Sequence, residues 1–253
     1  MNLNTPAIPL PLRQMNALAR AKPLPIYLQI SELLTRQIRA GHWRTGERLP
    51  TEAELAESLG VAVGTLRKSL ALLQEQQVLE RIQGSGTYVR SSQSGKSIYE
   101  FFRLELREGP GLPTAKILSL KLVARPPEVP VLGASAHPEA WRVRRLRYLN
   151  STPVALEEIW FDARYHDKLK AKNLGDSMYL FYQTAFNVWI SRVEDHISAA
   201  AVPDWRVKAF GIDSGAVSGF IVRQSWTASG ELAEFSNTWF DPQVCRYSSR
   251  LSA

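Results

Sequence analysis

The sequence predicts an α+β chain in two parts, a helical head closed by a glycine hairpin and then a longer antiparallel sheet flanked by helices. Three observations lead there. Two short amphipathic helical stretches, separated by a tight glycine turn and followed by the hairpin, occupy residues 51–89. Beyond residue 97 the apolar pattern alternates in runs parted by polar turns, the period of half-buried strands. Between them stands SSQSGKS at 91–97, small and polar, with the composition of a flexible linker.

Residues 1–22 carry Pro6, Pro9 and Pro11 with little periodicity and read as a mobile tail. In LPTEAELAESLG, Thr51 is placed to cap a helix and Glu54 to complete a capping box. Leu55, Ala56 and Leu59 form its apolar stripe, and Gly60 ends it by taking a left-handed conformation. A second helix spans about Gly64 to Gln76. Its Leu66, Leu70 and Leu73 face inward, while Thr65, Arg67, Lys68 and Ser69 fall on or beside the solvent face of its first turns. Hydroxyl, guanidinium and ammonium groups at a helix N-terminus suit the major groove, where the dipole favours phosphate and arginine reads guanine edges. Val78, Leu79, Arg81 and Ile82 then read as a strand, GSG at 84–86 as a tight turn, and Thr87, Tyr88 and Val89 as the return strand. Taken alone, the second helix is equally a solvated basic helix of an all-α domain. The hairpin after it makes the order that of a winged helix-turn-helix, a DNA-reading module.

Residues 25–90 resemble the DNA-binding domain of GntR-type bacterial transcription regulators. That pattern is an opening helix, then G-x-x-L-P-[ST]-E-x-x-L-A, then T-h-R-[KE]-A-L, then R-x-x-G-x-G-T-[FY]-V. It stands here as PIYLQISELLTRQIRAGHW, GERLPTEAELA, GTLRKSL and RIQGSGTYV. Carried over by position, the resemblance implies DNA contacts at Arg48, Thr51, Thr65, Arg67 and Gly84, to which the basic helix face adds Lys68. Many members have Ser-Arg after the turn valine; Ala62 and Val63 replace them here, so one base-reading arginine is missing.

In the second part, IYEFFRLELREG fits a strand or a short helix, and KILSLKLVARP alternates as a strand. WRVRRLRYLNSTPVALEEIWFDA reads as two strands joined by a polar turn at 150–153. SMYLFYQTAF reads as a helix, and a strand follows around residues 189–196. ISAAAVPDWRVKAFGI suggests a helical segment ending at Gly211. SGFIVRQSWTASGELAEFSNTWFDP is a hairpin turning at Ser229 and Gly230. Arg145 and Arg147, two apart, share one strand face, and Glu157 returns on the next strand. Two guanidiniums held together repel unless an anion lies between them, and their planar forks match phosphate or carboxylate oxygens. From spacing alone, an exposed pair of surface arginines fits as well.

VRRLR with STPVALE, and GELAEFSNTWF near the end, are similar to the marks of the UTRA domain, the effector-binding module of the HutC-like branch of these regulators. The resemblance implies an antiparallel, chorismate-lyase-like sheet over residues 98–253, joined to a winged domain over 23–90. It implies an anion-binding arginine at Arg145 or Arg147 and sugar-type contacts at Glu157 and Glu234. It also implies an aromatic contact at Phe240, commonly a tyrosine, and hence a ligand less polar than an amino-sugar phosphate. The run Phe101, Phe102, Arg103 matches the family's first ligand-contacting loop loosely and adds Phe102 and Arg103. Because ionised glutamates only accept, Glu157 and Glu234 are expected at the end of the ligand away from its anionic group.

Composition is that of a globular protein, with 45% hydrophobic and 22% charged residues. The net charge is +7, and residues 1–90 hold 11 Lys and Arg against 7 Asp and Glu, so the excess is denser in the head, as a polyanionic partner requires. A single cysteine, Cys245, excludes an intrachain disulfide, reads as a small buried hydrophobe and fits a reducing cytoplasm. His42, His137, His166 and His196 show no paired ligand spacing, and no apolar run reaches membrane-spanning length; no metal, cofactor or membrane is expected. The expected protein is a homodimeric repressor on palindromic double-stranded operator DNA, controlled by a small anionic metabolite, phosphorylated or carboxylated. The alternative is a lyase-like enzyme fused to a DNA-binding head. Against it, the second part offers arginine and glutamate for binding but no activated nucleophile or acid–base pair.

Overall fold

The computed structural model describes residues 24–90, 97–133, 137–165 and 169–250; the expected tail and nearly all of the expected linker lie outside the described residues. The head contains helices α1 (Ile26–Arg39), α2 (Glu52–Ser58) and α3 (Val63–Glu75) and strands β1 (Leu79–Ile82) and β2 (Gly86–Val89). Thr51 Oγ1 accepts from the Glu54 amide while Glu54 accepts from the Thr51 amide, so α2 begins with a reciprocal cap that contributes about 1 kcal/mol. Gly60, at φ 63°, turns the chain into α3. Ile30, Leu33 and Leu34 of α1 meet Leu55, Leu59, Leu66, Leu70, Leu73 and Val89 in one core. β1 and β2 pair from Leu79 opposite Val89 to Ile82 opposite Gly86, leaving Gly84 at the tip with φ 75°. Ser69 departs from expectation. It is fully buried and its hydroxyl donates to the Thr65 carbonyl at 3.1 Å, because it lies three residues from Leu66 and four from Leu73, on the apolar stripe.

The second part contains β3 (Leu104–Leu106), β4 (Pro113–Ala124), β5 (Glu139–Leu149), β6 (Thr152–Asp162), α4 (Met178–Phe186), β7 (Ile190–Ala201), β8 (Val217–Thr227), β9 (Leu232–Phe240) and β10 (Cys245–Tyr247). Six strands form an antiparallel sheet in the order β4-β5-β6-β9-β8-β7, and β3 pairs with β10 in a separate ribbon. The β5–β6 turn takes Asn150 and Ser151 at φ 48° and 71°, the geometry of a two-residue hairpin. α4 lays Met178, Phe181 and Tyr182 on Trp141, Val143, Ile159 and Phe161 at one end of a sheet face. The ribbon covers the other end of that face, placing Leu104, Leu106 and Cys245 on Ala155, Ile221 and Phe240.

The helical reading of residues 197–211 is overturned. Residues 197–201 continue β7 and pair with β8 as far as Ala201 opposite Val217, leaving one 3-10 turn at Lys208–Phe210. The alanines favour a helix locally, but each residue added to the ladder satisfies its backbone against β8, and tertiary pairing wins over a weak propensity. The two parts also pack directly: Leu112, just before β4, is 1% exposed inside the core of the head.

Candidate functional site

Two surfaces gather the residues singled out above. On the head, residues 46–49 run beside β2, with Arg48 bridged to Tyr88 and the Leu49 amide donating to the Thr87 carbonyl at 2.9 Å. The Arg48 side chain lies across Gly86, where a Cβ would stand 2.6 Å from its Nε; only a glycine lets the guanidinium lie there. The start of α2 and the hairpin tip thus wall a groove lined by Arg48, Thr51, Glu52, Arg81 and Gly84. Glu52 holds Arg67 of α3 at 2.6 Å and Arg81 of β1 at 3.6 Å, tying helix to wing. Both arginine side chains are about two-thirds exposed, at 65% and 64%. Exposed pairs of this kind contribute about 0–1 kcal/mol, so either guanidinium can leave Glu52 at little cost. α3 follows Ala62, an N-cap that makes no side-chain hydrogen bond, and has no acidic residue in its first turn, an arrangement compatible with a phosphate at its N-terminus.

On α3, Arg67 is exposed and Thr65 half-buried; two positions apart, they do not share a face of the helix. Lys68 is also exposed, but its Nζ sits 4.0 Å from the Tyr27 ring of α1, so its charge is directed to the side of the head. The Thr51 hydroxyl serves the cap of α2. Glu52 was not singled out in the sequence, and Arg81 was read only as part of the first strand of the hairpin. Arg67→Ala is expected to weaken binding to a specific duplex by about 1–3 kcal/mol if its guanidinium reads a base. A fluorescence anisotropy titration checks this, and an equal loss on all sequences with a lower salt slope would reduce its role to phosphate contact.

The second surface is a cavity on the sheet face between α4 and the β3–β10 ribbon. Strand register builds it: Arg145 lies opposite Glu157, Glu157 opposite Thr238, Arg223 opposite Ser236, and Ser225 opposite Glu234. Alternation puts all of these, with Arg147, on one face, and residues 98–104 cover them. The free volume is about 70 Å³, space for a few water molecules, so a sugar-sized ligand enters only if the cover or the side chains move.

Glu157 is not where it was expected. Its Oε2 accepts from Arg145 Nε at 2.9 Å and stands 2.6 Å from Arg145 Nη2 and 3.8 Å from Arg147 Nε. Direct cross-strand pairing, which the sequence reading passed over, places it among the arginines and not apart from them. Burial alone would raise the Glu157 pKa, but Arg145 and Arg147 outweigh it and hold the carboxyl below the ordinary range. Arg147 is 2% exposed; its Nη1 donates to the Asp176 carbonyl at 2.6 Å, yet its buried Nε–H has no acceptor among the described residues. The same carbonyl leads into Ser177, which caps α4, and Met178 and Tyr179 of its first turn line the cavity.

Glu234 lies further along the face, where Tyr182 donates to it at 2.7 Å. Burial raises its pKa to about 7, against the opposing effects of Tyr182, Arg145 and Arg223. Half protonated near neutrality, it donates as well as accepts, which removes the reason to bar it from an anionic group. Arg223 also lines the cavity, clamped by both oxygens of Asp195 at 2.6 Å each. It was legible: in IVRQSW it shares its face with Ile221 and Ser225. Phe102 and Arg103 line the cavity through the cover, but Phe240 does not. Its ring lies over Gly219, where a Cβ would approach to 2.3 Å, and the ribbon seals it into the core.

Residues 26–89 match the family model of bacterial regulatory proteins, gntR family, and residues 111–245 match the UTRA domain. The chain belongs to the GntR family, in its HutC-like branch. It is 48% identical over 228 residues to the HTH-type transcriptional regulator SmoD of Agrobacterium fabrum, spanning 90% of this chain and 97% of that one. It is 32% identical over 176 residues to the mannosyl-D-glycerate transport/metabolism system repressor MngR of Escherichia coli, spanning 68% and 73%. Its fold is shared by YydK of Bacillus subtilis, at TM-score 0.52 and 18% identity over 90% of this chain and 100% of that one. The ligand-binding domain of a GntR-type protein from Bordetella bronchiseptica matches at TM-score 0.54 and 20% identity over 61% and 99%. This GntR-family chain is therefore a DNA-binding transcription regulator and not an enzyme: the head supplies the helix-turn-helix, and the antiparallel sheet is its UTRA domain. No helix among its described residues is long and apolar enough to cross a membrane.

Proposed function

We propose that this regulator is a cytoplasmic homodimeric repressor whose operator affinity is set by a small anionic metabolite, phosphorylated or carboxylated, bound in the UTRA cavity. The observation that carries the reading is the buried Nε–H of Arg147, which makes no hydrogen bond among the described residues, reaches the Glu157 carboxylate only at 3.8 Å and lies beside the capped start of α4. A buried guanidinium donor left unpaired costs free energy that an anion's oxygen recovers, and a helix N-terminus adds amides of the same sign. Thr238, Ser236, Arg223 and Glu234 continue the face with groups suited to hydroxyls. A relative at 32% identity is named as repressor of a mannosyl-D-glycerate system. A sugar carboxylate of that kind has the two ends, one anionic and one rich in hydroxyls, that such a cavity suits. On the DNA side, two copies related by a two-fold axis would present two α3 helices to the half-sites of a palindrome.

Calorimetry with a panel of sugar phosphates and sugar carboxylates tests the reading. Arg147→Met is expected to cost about 1.5–3 kcal/mol of affinity for every anionic ligand that binds, the range for hydrogen bonds to charged groups. A neutral ligand that binds wild type and variant equally, with no anion binding at all, would defeat it.

A further inference from the structure

The cover of the cavity is held from the other domain. α1 has two buried stripes. Ile30, Leu33, Leu34 and Ile38 fill the core of the head, while Glu32 and Arg36, one turn apart, are 3% and 8% exposed against the UTRA part. Glu32 accepts from the Ser97 hydroxyl and the Ile98 amide, both at 2.7 Å. Arg36 donates to the carbonyls of Gly111 at 2.9 Å, Phe102 at 3.2 Å and Leu104 at 2.8 Å. Residues 97–104 therefore take their position from α1 at both ends, and most of them line the cavity. Phe102 closes the chain of contacts: its ring centroid lies 5.2 Å from the Arg36 guanidinium carbon and 4.7 Å from that of Arg147.

We propose that Glu32 and Arg36 are the joint through which occupancy of the cavity sets the placement of the winged head. The inference rests on reading the cavity as an effector site. A ligand larger than the present free space makes its room by moving the lining side chains or by shifting the cover, residues 97–104. Every such shift either breaks the bonds to Glu32 and Arg36 or drags α1, whose other face carries the core around which α2, α3 and the wing are packed. The Arg36 bonds to Gly111 and Leu104 are buried and the other three partly so, so breaking them without replacement is costly, and moving α1 is the cheaper response. Each domain thus acts on the other through side chains of a helix outside the DNA-reading surface. By linkage the effect is reciprocal.

Hydrogen–deuterium exchange on the full chain tests the joint without ligand or DNA. Arg147→Lys alters only the cavity, yet it is expected to speed amide exchange in residues 33–39 of α1 by about fivefold or more, with α3 unchanged. If that variant loosens every helix alike, Phe102→Leu, which keeps an apolar cover but removes the ring both guanidiniums approach, carries the same expectation. From the other side, Glu32→Gln and Arg147→Lys are expected to be non-additive by about fivefold or more in affinity for a duplex selected by the protein from random DNA. Responses of Arg147→Lys and Phe102→Leu confined to the UTRA part, with α1 exchanging as in wild type, would overturn the joint. Should calorimetry find no anion bound while α1 responds, the anion reading falls and the joint stands; bound anion with a silent α1 removes the joint alone.

Discussion

Glu157→Ala is expected to destabilise the folded chain by about 3–5 kcal/mol, the cost of breaking a buried ion pair by removing one partner. Arg145 and Arg147, 4% and 2% exposed, lose the carboxylate both of them face, and the few waters the cavity has space for carry no charge to replace it. Alanine also vacates the space in which a small anion would sit. Inorganic phosphate is therefore expected to raise the denaturation midpoint of the variant more than that of the wild type, since a ligand that binds only the folded state stabilises it by mass action. Urea denaturation with and without phosphate is the measurement. A variant as stable as wild type and indifferent to phosphate would show that the two guanidiniums are neutralised by other groups.

Glu234 is expected to make stability fall as the pH rises. Its folded pKa of about 7 lies above the ordinary 4.5, so the native state holds this proton more tightly than the unfolded chain does. The contribution is complete below about pH 4.5 and is lost as pH climbs through about 7, amounting to roughly 3 kcal/mol at most. Glu157 and Asp195 have the opposite sign: arginines hold their pKa values down, so their stabilisation is present at neutrality and disappears as the solution becomes acid. Glu234→Gln isolates the first effect, because the amide keeps the Tyr182 contact and does not titrate. The difference in unfolding free energy between wild type and variant should change between pH 5 and 8 and stay level above. A difference that is flat across the whole interval would place the Glu234 proton elsewhere.

The unequal legibility of the two parts has a physical origin. In the head, each element is written in short-range terms. The capping box at Thr51 and Glu54, the left-handed Gly60 and the leucine stripe of α3 depend on residues at most a few positions apart, and all stand in the structure as read. Ser69 was misjudged because a serine's chemistry suggested solvent while its position lay on the apolar stripe. In the UTRA part the two hairpins were readable from alternation and turn residues, whereas residues 197–201 needed a partner strand to declare themselves. Local alanine propensity favours the wrong answer there.

The cavity shows the same division more sharply. Alternation within one strand was enough to put Arg145 and Arg147 on a common face. It did not reveal that Glu157 would stand directly opposite Arg145, because register between strands belongs to the turn and the whole ladder, not to either strand. Phe240 shares the parity of Thr238 and Glu234, yet the ribbon formed by distant Leu104 and Cys245 buries it, and Gly219 receives its ring. By itself the sequence determined the class of the fold, the family, the recognition helix with its wing, and the arginine pair. Those are carried by spacing along one chain segment. Only the tertiary structure decided which carboxylate neutralises the arginines, which donor is left unpaired, and that Glu32 and Arg36 of the head hold the cavity's cover. The arginine–carboxylate pair spans only 12 residues but depends on strand register, and the Glu32 and Arg36 bonds cross 65 to 75 residues of chain; in both the polar partner of a buried group is set by packing and leaves no local pattern.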